Sequence, residues 1–155
     1  MGKGELAEQL FLKGYNCAQA VVGAFAEDIG MDFDTAVKTV ASFGGGMGRL
    51  REVCGAVSGM FFVAGALFGY SDPKDFAAKK EHYERIRYLA EKFKEQTGSI
   101  VCRELLGAEG KDAGGAPLKR TEEYYQKRPC PKMVFLAADI METYKKDMEK
   151  RGGIA

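Results

Sequence analysis

The sequence predicts an all-α protein, a compact helical bundle around a buried, glycine-rich central helix. Apolar residues recur at helical spacing over most of the chain, and no segment sustains the alternation typical of a β-strand. A run without charged residues extends over 53–70. Because a helix that is apolar on all sides must be covered by its neighbours, the other helices are expected to pack around this run.

Length and composition narrow the class of protein. The 155 residues fit a single domain, 1–155, that can bury one core. The net charge of +1, from 23 basic and 22 acidic residues, argues against nucleic acid as the main partner. The N-terminal segment lacks the pattern of a signal peptide, so we expect a cytoplasmic protein. The 53–70 run has nearly the length of a membrane span, but four glycines and Ser58 interrupt it, and we predict no membrane span.

Three helices are predicted before the central one. Residues 5–13 have helical spacing and end at a glycine. Asn16 is a good N-cap for a second helix that begins at Cys17 and reaches about Asp28. Asp34 or a residue near it caps the third helix.

The segments after the central helix are predicted in the same way. Asp72 can cap a long helix that has Pro73 at its first position and reaches about Gln96. A short helix after Ser99, a mobile loop over 107–115, a short helical piece near 121–126 and a last helix over 131–149 complete the chain. The long helix is predicted to carry an apolar stripe of Phe76, Tyr83, Ile86, Ala90 and Phe93.

All four cysteines fall at or near predicted helix N-termini. Cys17 follows Asn16, Cys54 opens the central helix, and Cys102 lies in the turn after Ser99. Cys130 precedes a proline and is predicted to be the N-cap of the last helix. Free N–H groups and partial positive charge at such ends stabilise thiolates, which ligate metals or attack disulfides. Four buried thiols with only a packing role are the simpler alternative.

The spacing of the cysteines limits the kind of site. No C-x-x-C motif is present, so a shared site has to be assembled by the tertiary structure. The basic residues that flank Cys130 are interpreted as a solvated surface, although they could also lower the pKa of a nearby thiol. They are Lys119, Arg120, Lys127 and Arg128. His82 is predicted to be solvated rather than a metal ligand.

A glycine-rich loop precedes the central helix. Its backbone N–H groups, with Arg49, could bind an anion or shield a metal cluster. We favour the interpretation that it is a tight connection that lets Cys54 approach other backbones. The loop comprises Gly44, Gly45, Gly46 and Gly48.

Several segments resemble one family. The stretches 15–21 (YNCAQAV), 43–48 (FGGGMG) and 54–59 (CGAVSG), followed by single cysteines at Cys102 and Cys130, are similar to the C_GCAxxG_C_C family of putative redox-active proteins. The resemblance extends over about 6–137. A related domain in split-Soret cytochrome c accompanies haems and an iron–sulfur centre. This chain has no C-x-x-C-H site and one histidine, so covalent haem is not expected. The resemblance implies redox or metal–thiolate chemistry at Cys17, Cys54, Cys102 and Cys130.

Three functional hypotheses follow. In the first, the four cysteines hold an iron–sulfur cluster, for which 2Fe–2S is one option, or a mononuclear iron or zinc, in electron transfer or redox sensing. In the second, the protein performs metal-free thiol–disulfide chemistry, for example through a Cys17–Cys54 bridge. In the third, it is a helical module that binds a small ligand or a partner helix. The sequence specifies neither the redox partner nor an enzymatic reaction. Pairing of the glycine-rich helix with its copy would give a homodimer.

Overall fold

The computed structural model describes residues 1–107 and 114–152, and this part of the chain forms helices without a β-strand. The all-α prediction is therefore confirmed. A 3-10 turn, Ala41–Phe43, lies between α3 and α4, and an isolated antiparallel bridge joins Val53 to Val101. The helices are α1 (Lys3–Leu12), α2 (Cys17–Ala24), α3 (Phe33–Thr39), the single turn α4 (Gly44–Met47), α5 (Gly55–Phe68), α6 (Phe76–Thr97), α7 (Cys102–Leu106), α8 (Glu122–Lys127) and α9 (Cys130–Lys150).

Two helices, α2 and α5, form the centre of the core. α5 packs against α2, α6 and α9, while α2 also contacts α1 and α3. Burial of each large apolar side chain contributes about 1.5–3 kcal/mol to folding. The largest fully buried side chains include Phe11, Phe25, Met60, Phe93 and Met141. The bundle thus buries most of the first part of α5 as predicted, whereas residues 65–68 at its end are not buried. α5 has 14 residues and its C-cap is Gly69, one residue before the uncharged run ends.

Glycines allow α2 and α5 to approach closely. A Cβ atom at Gly55 would lie 2.9 Å from the Phe43 carbonyl oxygen and 3.0 Å from the Cys17 Cβ. A Cβ atom at Gly59 would lie 3.0 Å from the Ala18 carbonyl oxygen. The absence of these two side chains therefore brings the start of α2 against the start of α5.

The end of α2 was predicted wrongly, whereas the cap of α3 lies where it was expected, near Asp34. α2 ends at Ala24 rather than near Asp28, because the chain then tightens into turns in which the Ala26 N–H donates to the Gly23 carbonyl. The cap of α3 is Asp32, whose carboxylate accepts a hydrogen bond of 3.2 Å from the Thr35 N–H. Asp34 lies inside the first turn of α3.

The start of α6 also differs from the prediction. Asp72 accepts a hydrogen bond from the Lys74 N–H at 2.9 Å and so forms a turn before the helix that includes Pro73. Asp75 is the cap instead, with its carboxylate 3.0 Å from the Ala78 N–H. The helix consequently begins three residues later than the predicted Pro73.

The buried face of α6 runs through Arg85, Leu89 and Phe93, which are spaced four residues apart. Phe76 and Tyr83 were predicted to be inward but are 76% and 48% exposed. Arg85 can be buried because its guanidinium donates to the Tyr144 hydroxyl at 2.9 Å and packs over the Phe68 ring. The sequence pattern predicted that the charged residues of α6 face outward. Arg85 departs from this prediction because Tyr144 and Phe68 provide partners for its guanidinium.

The remaining predictions concern the second half of the chain. α8 confirms the predicted helical piece near 121–126, and the Thr121 hydroxyl caps it through the Tyr124 N–H. Most of the loop predicted over 107–115 lies outside the described residues. None of the helices in the described part of the chain is long and apolar enough to cross a membrane.

Candidate functional site

The N-termini of four helices converge on one cavity of about 320 Å³, and all four cysteines line it. Cys17 is the first residue of α2, Cys54 is the N-cap of α5, and Cys102 is the first residue of α7. Cys130 is the first residue of α9 rather than its predicted N-cap, which is Pro129. All four are free thiols. The tertiary structure thus brings together residues that are far apart in the sequence.

The backbone around an isolated β-bridge positions Cys54 and Cys102. The Cys54 N–H donates to the Ile100 carbonyl at 2.7 Å, and the Cys102 N–H donates to the Glu52 carbonyl at 2.6 Å. Successive residues of an extended segment point to opposite faces. Cys54 and Cys102 each follow a bridge residue, so both belong to the face opposite the bridging valines.

Cys17 and Cys130 form a second pair in the cavity. Their thiols are joined by a hydrogen bond, which raises the pKa of Cys17 well above its usual value and lowers the pKa of Cys130. Asn16 fixes the start of α2 through a reciprocal capping box with Gln19. Both thiols are partly exposed, whereas Cys54 and Cys102 are buried.

The cavity wall carries positive charge. Four arginines line it, and no described lining residue is Asp or Glu. Arg51 is 3% exposed, and its Nη1 lies 3.8 Å from the Cys102 Sγ. The four are Arg49, Arg51, Arg120 and Arg128.

Burial opposes the effect of this positive charge on the thiols. It raises the pKa of Cys54 to about 12, although the N–H groups of Val57 and Ala56 lower it in part. Burial also raises the pKa of Cys102 despite the adjacent Arg51. For Cys130, the hydrogen bond with Cys17 is the largest cause of the lowered pKa, and nearby arginines act in the same direction. Location at a helix N-terminus alone therefore does not make all four residues thiolates.

The glycine loop is a tight connection, as predicted, and it also lines the cavity. Gly45 and Gly46 have φ angles of 67° and 69°, a region that favours glycine. A Cβ atom at Gly46 would lie 2.6 Å from the Cys102 Cβ and 2.9 Å from the Arg51 Cα. Arg49 and Arg51 themselves have φ angles of 67° and 61°, so the loop holds strained backbone next to the thiols.

The segment 114–120 completes the cavity wall, and of its residues the sequence indicated a role only for Lys119 and Arg120, as basic residues that could lower the pKa of a nearby thiol. Pro117 and Leu118 line the cavity. Arg120 donates to the carbonyls of Phe11 and Tyr15 and packs 4.0 Å above the Phe11 ring. The interpretation of a solvated basic surface was wrong for Arg128, which is 6% exposed. The signal available in the sequence was the proximity of these arginines to Cys130.

The structure also describes the surroundings of His82 and the groups of residues that could hold a metal ion. His82 lies away from the cavity, with its Nδ1 2.9 Å from the Arg85 Nη1, and is not among the lining residues. Within the described residues, no group of three or more His, Cys, Asp or Glu side chains is arranged to hold a metal ion.

Comparison with known proteins identifies the family. No curated protein and no solved structure matches the chain. The family model described as "Putative redox-active protein (C_GCAxxG_C_C)" matches residues 15–144, which include all four cysteines and the glycine loop. The match covers most of the chain, and the protein therefore belongs to the C_GCAxxG_C_C family of putative redox-active proteins.

Proposed function

We propose that the four cysteines hold an iron–sulfur cluster of the 2Fe–2S type and that the protein acts in electron transfer or redox sensing. The observation that carries the proposal is the convergence of Cys17, Cys54, Cys102 and Cys130 from four helix N-termini on one cavity. Iron–sulfur clusters are held by cysteine thiolates, usually four of them. A cytoplasmic location and pairing into a homodimer stay predictions from the sequence.

The shape of the site favours a cluster over a single metal ion. In a four-cysteine zinc site each sulfur lies about 2.3 Å from the ion, so the sulfur atoms are within about 4 Å of one another. The described residues contain no such group of three or more ligands, and the cavity of about 320 Å³ leaves room for a larger group. Inorganic sulfide bridges would allow more widely placed thiolates to hold the same centre.

The arrangement of the cysteines supports two irons. Each iron of a 2Fe–2S cluster is bound by two protein ligands. Cys17 and Cys130 are adjacent, and Cys54 and Cys102 flank the Val53–Val101 bridge. The ligand set thus divides into two pairs that come from different parts of the fold.

The surroundings also suit a negatively charged group. Arg51, whose Nη1 lies 3.8 Å from the Cys102 Sγ, and the N–H groups near Cys54 would offset part of the charge of the thiolates. Apolar lining residues would restrict water, which together with N–H donors sets the reduction potential of such a centre. They include Phe11, Leu105, Leu106 and Met133. When bound, the cluster would supply one-electron transfer.

Purification without oxygen tests the proposal directly. We expect a visible absorption band, with about two iron and two acid-labile sulfide per chain. Each of the four Cys→Ser variants should lose most of both. Tyr83→Ser is a matched control, because Tyr83 is half exposed on α6 and does not line the cavity. Full iron and sulfide in all four cysteine variants would contradict the proposal.

A further inference from the structure

The outward face of α6 is not covered by the rest of the described chain. The helix packs against α5 and α9, and its buried residues, Arg85, Leu89 and Phe93, lie on one side. We propose that the opposite side of α6 binds the same surface of a second copy, with the two helices antiparallel about a twofold axis. This surface differs from the glycine-rich pairing predicted from the sequence, because Gly55 and Gly59 already pack against α2. It lies away from the cysteine cavity, so the proposal does not depend on the cluster.

The charges on this face alternate in sign along one stripe. Lys80, Glu84, Arg87 and Glu91 are exposed and follow one another at intervals of four, three and four residues. Residues at this spacing share one side of a helix, which here is the side opposite the buried face. Within the described residues, none of the four forms an ion pair or a side-chain hydrogen bond. Their charges are therefore available to a partner.

The order of the charges is complementary to itself when the helix is reversed. The midpoint between Glu84 and Arg87 is also the midpoint between Lys80 and Glu91. In an antiparallel pair centred there, Glu84 of each chain is level with Arg87 of the other, and Lys80 is level with Glu91. The twofold axis repeats both contacts, so every charge of the stripe meets one of opposite sign. A parallel pair in register would instead oppose like charges.

Exposed aromatic rings flank the stripe on both sides. Tyr83 and Tyr88 are 48% and 49% exposed, and they share the same midpoint as the charged pairs. The Tyr83 ring lies against Tyr70, with centroids 6.4 Å apart, and the Tyr88 ring lies 5.8 Å from that of Tyr144. Aromatic side chains are enriched in interfaces, and rings that are already held in place lose little conformational entropy on binding. The tyrosines therefore add apolar contact area beside the charges.

The size of the face indicates a weak, reversible dimer. α6 has 22 residues and is therefore about 33 Å long. With a helix diameter of about 10 Å, its outer half presents roughly 500 Å², and two copies would bury about 1,000 Å². An interface of this area lies at the lower limit for specific association, so we expect dissociation in the micromolar range.

Sedimentation velocity of the full chain, under reducing conditions and from about 10 to about 500 μM, tests the proposal. We expect a monomer–dimer equilibrium that weakens as salt is added. Glu84→Arg and Arg87→Glu, each made alone, replace two contacts between opposite charges with two between like charges. Each variant should dimerise about tenfold more weakly. Asp139→Arg is the matched control, because it reverses an exposed charge on α9, and it should leave the dissociation constant unchanged.

Mixing the two α6 variants gives a result that contacts within one chain cannot explain. One variant is positive at both positions and the other is negative at both, so a mixed dimer again places opposite charges level with each other. The mixture should associate at least as tightly as the unmodified chain, although each variant alone dimerises poorly. Melting curves establish that each variant is folded.

Three results would overturn the proposal. They are a monomer at every concentration, a dimer that neither α6 variant weakens, and a mixture that associates no better than its components. Iron and sulfide are measured on the same preparations and should not change, because no residue of α6 lines the cysteine cavity. Failure of the dimer is therefore distinguishable from failure of the cluster proposal.

Discussion

Replacement of Gly46 by alanine tests whether the glycine loop positions the site. Gly46 has a φ angle of 69°, where an alanine costs about 1–2 kcal/mol. The new methyl group would also lie 2.6 Å from the Cys102 Cβ and 2.9 Å from the Arg51 Cα and the Glu52 N. Two of these three neighbours are backbone atoms, so a side-chain rotation cannot relieve the overlap. Overpacking of this kind costs about 1–3 kcal/mol more.

Gly30→Ala is the matched control for this experiment. Gly30 has the same φ angle of 69°, but a Cβ atom there would meet nothing within 4 Å. Urea unfolding of the metal-free chain should show a loss of about 1–2 kcal/mol for Gly30→Ala and about 2–5 kcal/mol for Gly46→Ala. The difference between the two variants measures the steric contribution alone. Equal losses would refute the inference that the loop is packed tightly against the cysteine segments.

Three further predictions concern the thiols and the helices. In the metal-free chain at neutral pH, iodoacetamide should modify Cys130 first, because the pKa of Cys130 is lowered. Cys54, with a pKa of about 12, should stay unmodified until the chain unfolds. Mass spectrometry of the peptides checks both expectations. The pKa of Cys54 is higher in the folded chain than in the unfolded chain, so the folded state holds the Cys54 proton more tightly. The contribution of this difference to the free energy of unfolding should be complete below about pH 9 and lost as the pH rises toward 12. Urea titrations at several pH values check this. Asn16→Ala should cost about 1 kcal/mol by removing the capping box of α2, and an unchanged unfolding midpoint would contradict this.

Local signals accounted for most of the helices, but tertiary contacts decided the exceptions. Asn16, Thr121 and the glycine stops act within a few residues, so the sequence shows them directly. The start of α6 depended on which of two nearby aspartates took the cap, and both fit the pattern. The buried face of α6 depended on α5 and α9, which supplied Arg85 with Tyr144 and Phe68 as partners. Helical periodicity does not contain that information.

The site was predictable in its members but not in its arrangement. Helix starts and the family resemblance identified the four cysteines. The division into an adjacent, partly exposed pair and a buried pair arises from the Val53–Val101 bridge and from the packing of α9 near α2. These contacts join segments that are distant in the sequence. The burial of Arg51 and Arg128 was missed for the same reason, because a single arginine in the sequence does not indicate whether a cavity lies beside it.

The structure also gives a physical meaning to the Cys-Gly-Ala-x-x-Gly motif over 54–59. Cys54 is the N-cap of α5 and faces the cavity, while Gly55 lets the Cys17 Cβ approach the start of the helix. Gly59 lies one turn later and makes the same close approach to Ala18. The two glycines thus hold α2 at one fixed distance from α5 over the first turn of each helix. A larger side chain at either position would separate Cys17 from Cys54, so the motif specifies the relation between two cysteine segments and not only the position of Cys54.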